Sequence, residues 1–284
     1  MYCYNLGDIL FVFNTDRNIS ETKNYELFRT ASDCCLTDKH VFNISDIPSE
    51  IEDYGKPVFA CSDNSVYKTD CGYVRVNNRY NRREYKAVCM QQGAGGEIFF
   101  TDGGDDHIQT SAELFRIIDL VSAFIYYDAF IMHGAVIEHN GRCIVFSGDS
   151  GAGKSTQAEL WNKYRNSRIL NGDRVLIRKT DEGFFAYGLP MCGSSDSCVN
   201  YKLPVEAVVF PEKSCENQIK EPQTDIEKFM LLTSQITCGI RKEGESEKLL
   251  KLTEEFEKNT PIIKLHCTIS EDAVSCLENH LLRK

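Results

Sequence analysis

The sequence lacks an excess of positive charge. It has 32 lysines and arginines against 42 aspartates and glutamates, which gives a formal net charge of −10 at pH 7. Surfaces that bind nucleic acids are usually basic, so this composition gives no support for a nucleic-acid partner.

A long apolar run and a secretory leader are also missing. The most apolar stretch, residues 114–132, is interrupted by Arg116, Asp119 and Asp128, and charges at the centre of a bilayer span are costly. Residues 1–4 contain neither a basic segment nor a long apolar one. We therefore expect a cytoplasmic protein that does not bind a membrane.

The cysteines form no C-x-x-C pair. There are 13 of them, an odd number in a chain of 284 residues, whereas disulfide frameworks are typical of shorter secreted domains. Cys192 and Cys198 have no companion histidines nearby, which disfavours a zinc site. We expect free thiols in a reducing compartment.

No internal repeat or low-complexity tract stands out, which argues against a solenoid. The length suits one large or two modest domains, and the 42% of hydrophobic residues can form a buried core. Short strands and turns are predicted over the first hundred residues, and strands that alternate with helices follow from residue 130. We divide the chain into a β-rich N-terminal domain, residues 1–108, and a second domain, residues 109–284.

The N-terminal part contains a few clear local signals. A strand is predicted over residues 9–13, and a hairpin over 72–76 and 85–90 with its turn at 77–81. Thr110 stands three residues before Glu113, as in a capping box. The apolar residues between 114 and 125 recur at helical spacing and predict one continuous helix.

The second domain alternates between strand and helix patterns. An Asn-Gly turn at Asn140 joins two predicted strands, and Thr224 with Glu227 predicts the start of a later helix. The predicted helices cover residues 155–165, a segment after Thr224, and a segment from 271. The predicted strands cover residues 135–138, 142–147, 167–170, 175–178, 184–187, 206–210 and 262–267. This order predicts an α/β fold with a mixed sheet.

One motif carries recognisable chemistry. Its positions fit the pattern G-x-x-x-x-G-K-[ST] and are Gly148, Asp149, Ser150, Gly151, Ala152, Gly153, Lys154 and Ser155. Glycines let successive backbone N–H groups turn inward around a polyphosphate, and the following helix adds its positive N-terminal end. Lys154 would reach the β- and γ-phosphates, and the Ser155 hydroxyl would hold Mg²⁺.

The context of this loop fits the motif. An apolar strand comes directly before it, and helix-forming residues that begin with Thr156 come directly after it. We therefore predict that residues 148–156 bind ATP or GTP with Mg²⁺.

A second metal ligand is expected on a neighbouring strand. Asp173 is the candidate, because one helix and one strand separate it from the loop and return the chain beside the first strand. The alternative is an ordinary turn aspartate after Gly172.

The residues around this loop resemble the catalytic domain of HPr kinase/phosphorylase. They are still more similar to a kinase-like group found beside peptide-maturation genes and often labelled as similar to phosphoenolpyruvate carboxykinase. Three features between residues 130 and 210 carry the resemblance. They are the His-Gly pair at His133, the Gly-Asp-Ser-Gly opening of the loop, and the sequence Asn-Gly-Asp-Arg that begins at Asn171. The resemblance implies a mixed-sheet P-loop domain of the HPr kinase/phosphoenolpyruvate carboxykinase type, with the β-rich domain as a smaller addition.

The resemblance also implies roles for single residues. Lys154 and Ser155 match the phosphate and Mg²⁺ ligands of the family, and Asp173 matches the second residue of its acidic pair. His133 matches a histidine close to the γ-phosphate. The first acidic residue, which is the general base in HPr kinase, is replaced here by Gly172. Either Asp173 serves both as metal ligand and as general base, or His133 accepts the proton, for which the ordinary pKa of histidine is suitable.

The function predicted from these features is a kinase. An ATP-dependent phosphotransferase would act on a hydroxyl of a small molecule, a peptide or a protein, such as Ser or Thr. A regulatory or scaffold protein with weak or no turnover is the alternative, and Gly172 favours it. Carboxykinase chemistry needs further basic and metal-binding residues that the sequence does not reveal. HPr kinases assemble, so a homo-oligomer is compatible with the resemblance.

Two further features have competing interpretations. Arg174 would either pair with a phosphate or bond to Asp173, and the second role is favoured. The loop over residues 187–195 is rich in glycine and serine, and Ser194 and Ser195 are hypothetical substrate contacts. A surface connection without function is the alternative for this loop.

Overall fold

The computed structural model describes residues 1–46, 54–70, 72–80, 83–100, 109–191, 193, 198–239 and 242–283. The chain forms two compact units. Unit 1 contains Met1–Tyr127 and Cys238–Glu245, and unit 2 contains Asp128–Thr237 and Ser246–Lys284. Unit 1 therefore extends beyond residue 108, where the sequence division was placed, and it includes a short segment from the C-terminal half.

Unit 1 contains one mixed sheet. Its strands are β1 Tyr2–Leu6, β2 Ile9–Asn14, β3 Lys39–Asp46, β4 Phe59–Ala60, β5 Asn64–Thr69, β6 Gly72–Tyr80, β7 Arg83–Gln92 and β8 Gly95–Phe100. Within the described residues they lie in the order β1-β2-β3-β8-β7-β6-β5-β4. Strand β3 pairs in parallel with β2 and β8, and the other pairs are antiparallel. The helices of this unit are α1 Lys23–Glu26, α2 Ser111–Ile117 and α3 Leu120–Tyr126.

The β6–β7 hairpin is longer than predicted. Asn77, which was assigned to the turn, lies inside β6 and is buried. Its side-chain amide donates hydrogen bonds to the carbonyl groups of Ile117 at 3.1 Å and Ala87 at 3.4 Å. A turn-type residue therefore occupies a strand because the tertiary structure satisfies its side chain.

The predicted helix between residues 111 and 126 is broken into α2 and α3. The capping box of Thr110 and Glu113 starts α2, as predicted. At the break, the side chain of Gln91 exchanges hydrogen bonds of 3.0 and 3.1 Å with the backbone of Asp119. The Asp119 carboxylate accepts from Ser122 N at 3.2 Å, which caps α3, and pairs with Lys242 at 3.3 Å. The single-helix prediction was wrong because these partners lie outside the helix sequence.

Unit 2 combines a second mixed sheet with four helices in the described part of the chain. The strands are β9 Ala129–His133, β10 Ala135–His139, β11 Arg142–Phe146, β12 Arg168–Asn171, β13 Arg174–Thr180, β14 Gly183–Tyr187, β15 Lys202–Lys213, β16 Gln218–Lys220 and β17 Ile262–Cys267. The helices are α4 Lys154–Arg165, α5 Asp225–Gln235, α6 Glu245–Asn259 and α7 Glu271–Leu281. Helix α6 was not predicted.

Strand β15 is shared by the two halves of this sheet. The strand order is β12-β10-β11-β15-β14-β13-β9, and β17 pairs with both β15 and β16. Strand β15 is parallel to β11 and β17, and the other pairs are antiparallel. The prediction of an α/β fold with mixed rather than purely parallel pairing is confirmed.

Two apolar clusters cover the sheet of unit 2. One cluster contains Trp161 of α4 and Leu277 of α7. The other contains Leu232 of α5 and Phe256 of α6. The helices therefore pack on the sheet through separate cores, and β11 contributes residues to both.

The cysteines are only partly as predicted. Ten cysteines of the described residues are free, but Cys198 forms a disulfide bond, so the expectation of free thiols is wrong at that position. Among the described residues, no helix combines the length and the hydropathy that crossing a bilayer requires. The cytoplasmic location stays a prediction.

His40 is buried in the aromatic core of unit 1. Its ring stacks on Phe11 at 5.6 Å and lies 5.0 Å from the ring of Phe42. The side chain is fully buried, and within the described residues neither ring nitrogen has a hydrogen-bond partner. Burial, together with the charge of Lys242, lowers the pKa of His40 from 6.5 to about 4, so the folded unit requires a neutral imidazole.

We predict that His40 makes the stability of the protein depend on pH. In the unfolded chain the His40 imidazole binds a proton below about pH 6.5. In the folded chain it binds one only below about pH 4. The free energy of unfolding should therefore decrease as the pH falls through this window, by up to about 3 kcal/mol, and then level off.

Urea unfolding of the wild type and of a His40→Phe variant between pH 7 and pH 4 would measure this contribution. Carboxylates titrate in both proteins, so the readout is the difference between the two curves. Parallel curves would contradict the prediction.

Candidate nucleotide-binding site

The loop after β11 has the conformation that its glycines predict. Strand β11 is buried from Cys143 onwards, and α4 begins directly after Gly153. Gly148, Gly151 and Gly153 have φ values of 133°, 80° and 104°, and residues other than glycine rarely adopt such values. The strand, the loop and the helix are therefore arranged as a phosphate-binding loop requires.

The ammonium group of Lys154 lies against this loop. Its Nζ donates to the carbonyl groups of Gly148 at 2.8 Å and Asp149 at 2.9 Å. The loop is closed on itself by a further bond from the N–H of Ala152 to the carbonyl of Asp149, at 3.1 Å. A cation is thus held at the loop by neutral carbonyl oxygens, and phosphate oxygens would be stronger partners for it.

The start of α4 presents donors and a hydroxyl. Its N-cap is Gly153, so the first-turn N–H groups have no capping side chain at that position. Ser150 and Ser155 are exposed, and Thr156 is half-buried. The helix continues for 12 residues, so its N-terminus carries the partial positive charge that favours an anion.

Ser147 connects the loop to His133. The serine is fully buried directly before the loop, and its hydroxyl donates to the carbonyl of His133 at 2.5 Å. The next residue, Gly134, passes so close to β11 that a Cβ atom there would lie 2.8 Å from Val145 Cγ1. It would also lie 3.1 Å from the Phe146 carbonyl oxygen, so a side chain at residue 134 would force its neighbours in β11 to shift.

A backbone hydrogen bond joins Gly134 to the third sequence motif, Asn-Gly-Asp-Arg at residues 171–174. The N–H of Gly134 donates to the carbonyl of Asp173 at 2.9 Å. The amide oxygen of buried Asn171 accepts from the N–H groups of Asp173 at 2.9 Å and Arg174 at 3.1 Å, which is a side-chain-closed turn. The three sequence motifs that predicted the site are therefore joined by hydrogen bonds.

The side chain of Asp173 in this turn lies near that of His133 at the end of β9. Asp173 Oδ1 lies 3.9 Å from Nδ1 of His133, and both side chains remain about two-fifths exposed, at 38% and 43%. Arg174 Nε lies 3.4 Å from Asp173 Oδ2, which supports the structural interpretation of Arg174. An imidazole and a carboxylate thus stand together at the solvent surface, where either can accept a proton.

Gln235 was not predicted from the sequence, whereas Gly193 belongs to the 187–195 loop for which substrate contact was a hypothesis. Gln235 is buried at the end of α5 and donates to the Asp149 carboxylate at 3.1 Å. Gly193 approaches Asp173 so closely that a Cβ atom would lie 2.9 Å from Asp173 Cβ. Gln235 belongs to no local motif, so no signal in the sequence indicated its contact. Ser194 and Ser195, the hypothetical substrate contacts, lie outside the described residues.

Neither a protein-family model nor a curated protein matches this chain. The site is therefore interpreted from its own residues. They fit a nucleotide with Mg²⁺, because the loop offers glycine conformations, an ammonium group and an exposed hydroxyl, and Asp173 offers a carboxylate.

We predict that a Ser147→Ala substitution destabilises the protein by about 1–2 kcal/mol, because it removes a donor from a buried carbonyl. Ser155→Ala is the matched control. Its side chain is exposed, so the free energy of unfolding should stay within about 0.5 kcal/mol of the wild type. Urea unfolding measures both values, and equal effects would argue against the role of Ser147.

Proposed function

We propose that this protein is an ATP- or GTP-dependent phosphotransferase that acts on a hydroxyl group. The observation that carries the proposal is the strand–loop–helix unit of residues 148–155, with Lys154 Nζ held at 2.8 and 2.9 Å from two loop carbonyls. The acceptor is a small molecule, a peptide or a protein. The resemblance to HPr kinase supports the same chemistry.

The sheet supports a P-loop domain of the HPr kinase/phosphoenolpyruvate carboxykinase type. Strand β11 pairs with β10 in antiparallel and with β15 in parallel orientation, whereas purely parallel sheets are typical of other doubly wound α/β proteins. The His-Gly turn and the loop lie side by side at the open end of the β10–β11 hairpin, where Ala135 pairs with Phe146. This is the arrangement that the resemblance implies.

Different residues of the site bind the phosphates and the metal ion. Lys154 and the N–H groups of the first turn of α4 hold the β- and γ-phosphates. Ser155 and Asp173 would supply oxygen ligands for Mg²⁺. When bound, the cation would neutralise charge on the phosphate oxygens.

The acceptor proton goes to the pair formed by His133 and Asp173. As the acceptor oxygen bonds to the γ-phosphorus, the bond from that phosphorus to the bridging oxygen breaks, and the nucleoside diphosphate leaves with its electron pair. Gly172 has no side chain that could act as a base. The imidazole and carboxylate at 3.9 Å are therefore the groups proposed to accept the proton.

We predict that Lys154→Ala abolishes Mg²⁺-dependent binding of ATP and GTP, because the loop loses its only side-chain cation. Lys163→Ala is the matched control, since Lys163 is exposed in the same helix at its other end. Isothermal calorimetry with each nucleotide, with and without Mg²⁺, measures the effect. Wild-type protein that gives no heat with either nucleotide would refute the proposed function.

We predict that Asp173→Asn lowers phosphoryl transfer by about 100-fold or more, as expected for the loss of a base or metal ligand, while nucleotide binding without Mg²⁺ is kept. The assay uses γ-labelled ATP and a panel of Ser- and Thr-containing peptides, with His133→Asn as a parallel variant. Asp181→Asn, which changes an exposed carboxylate in the next turn, should leave transfer unchanged. A His133 variant that is more impaired than the Asp173 variant would assign the base to the histidine.

A nucleotide-binding regulator or scaffold with weak turnover is the second candidate. Gly172 favours it, because the family's first acidic residue is missing. Nucleotide-dependent binding of a partner protein, together with slow hydrolysis and no labelled acceptor, would select this function.

A further inference from the structure

The outer face of α5 and α6 carries exposed apolar side chains. Ile226 and Met230, one helical turn apart on α5, are 73% and 65% exposed, and Leu250 on α6 is 50% exposed. A groove of about 530 Å³ lies between the helices, and Ile226, Phe229 and Leu250 line it. Single exposed apolar side chains are ordinary, but a cluster of them at one groove is typical of an interaction surface.

The fold keeps these side chains on the outside. The opposite faces of both helices are buried in the core of unit 2, through Leu232 of α5 and Phe256 of α6. Lys228 of α5 also pairs at 3.1 Å with Glu257 of α6, whose side chain is only 4% exposed. The two helices therefore cannot rotate to bury the outer face without losing their core contacts.

The charges along the same face of α6 alternate in sign. Glu247, Lys251, Glu254 and Lys258 follow one another at spacings of four, three and four residues and line the groove. All four are more than half exposed. The order of charges is negative, positive, negative, positive, and it reverses when α6 is read from its other end.

This order is complementary to itself in one orientation. In two antiparallel copies of α6, Glu247 would face Lys258 of the other copy, and Lys251 would face Glu254 of the other copy. Opposite charges would then meet at all four positions, whereas parallel copies would place like charges together. A twofold axis generates this kind of interface, in which the same surface is used by both partners.

We propose that the α5–α6 face binds the same face of a second copy of this chain, with the α6 helices antiparallel across a twofold axis. Apolar side chains from both copies fill the centre, and the four charges of each α6 pair across the interface. The present pairs within α6, Glu247–Lys251 at 2.7 Å and Glu254–Lys258 at 2.6 Å, are exposed and contribute little, so their exchange costs little. This inference does not rest on the proposed function.

The test uses sedimentation velocity on the full chain and two charge variants. The wild type should sediment as a species of twice the 32.3 kDa chain mass. Lys251→Glu with Lys258→Glu makes the series entirely negative, and Glu247→Lys with Glu254→Lys makes it entirely positive. Each variant alone should be monomeric because like charges meet, and an equimolar mixture of the two should restore the species of double mass.

Two single substitutions complete the design. Leu250→Glu should abolish the dimer, while Ile269→Glu, at a position 78% exposed outside this face, should leave it intact. Circular dichroism establishes that each variant keeps its helices. A wild type that stays monomeric at all concentrations tested would overturn the proposal. A mixture of charge variants that fails to associate, or an all-negative variant that still dimerises, would overturn it as well.

Discussion

Two hydrogen bonds on either side of the His133–Gly134 peptide hold the candidate site together. One runs from the Ser147 hydroxyl to the His133 carbonyl, and the other from the Gly134 N–H to the Asp173 carbonyl. Both form where the chain passes close to β11, and a side chain at residue 134 would force Val145 to shift. The loop, the histidine and the aspartate share one surface because these backbone groups are satisfied in this way.

These hydrogen bonds also determine where the charged groups of the site lie. The Lys154 ammonium is held by loop carbonyls, while His133 and Asp173 stay partly exposed. The cationic group therefore lies on the loop, whereas the two groups that can accept a proton lie at the end of β9 and in the turn between β12 and β13. Catalysis of phosphoryl transfer depends mainly on such positioning and on charge neutralisation, and less on covalent participation of the protein.

The sequence was informative where structure is decided locally. The predicted turn at Asn140-Gly141 is present, with left-handed φ values of 53° and 75°, and the glycine loop between β11 and α4 was predicted with its neighbours. Prediction failed where distant partners decide. The break between α2 and α3 depends on Gln91, and the contact of Gln235 with Asp149 joins residues 86 positions apart. Helix α6 was missed although Leu249, Leu252 and Phe256 recur at helical spacing.

Unit 1 is built from two separate segments of the chain, and this affects the order in which it can form during synthesis. Its buried carboxylate at Asp119 pairs with Lys242, which is translated more than a hundred residues later. In a nascent chain that ends before this segment, burial of Asp119 would leave a negative charge without its cation, and such a charge is costly. Unit 1 therefore gains its last native contacts only after residues 238–245 have been translated, which is later than the glycine loop of residues 148–155.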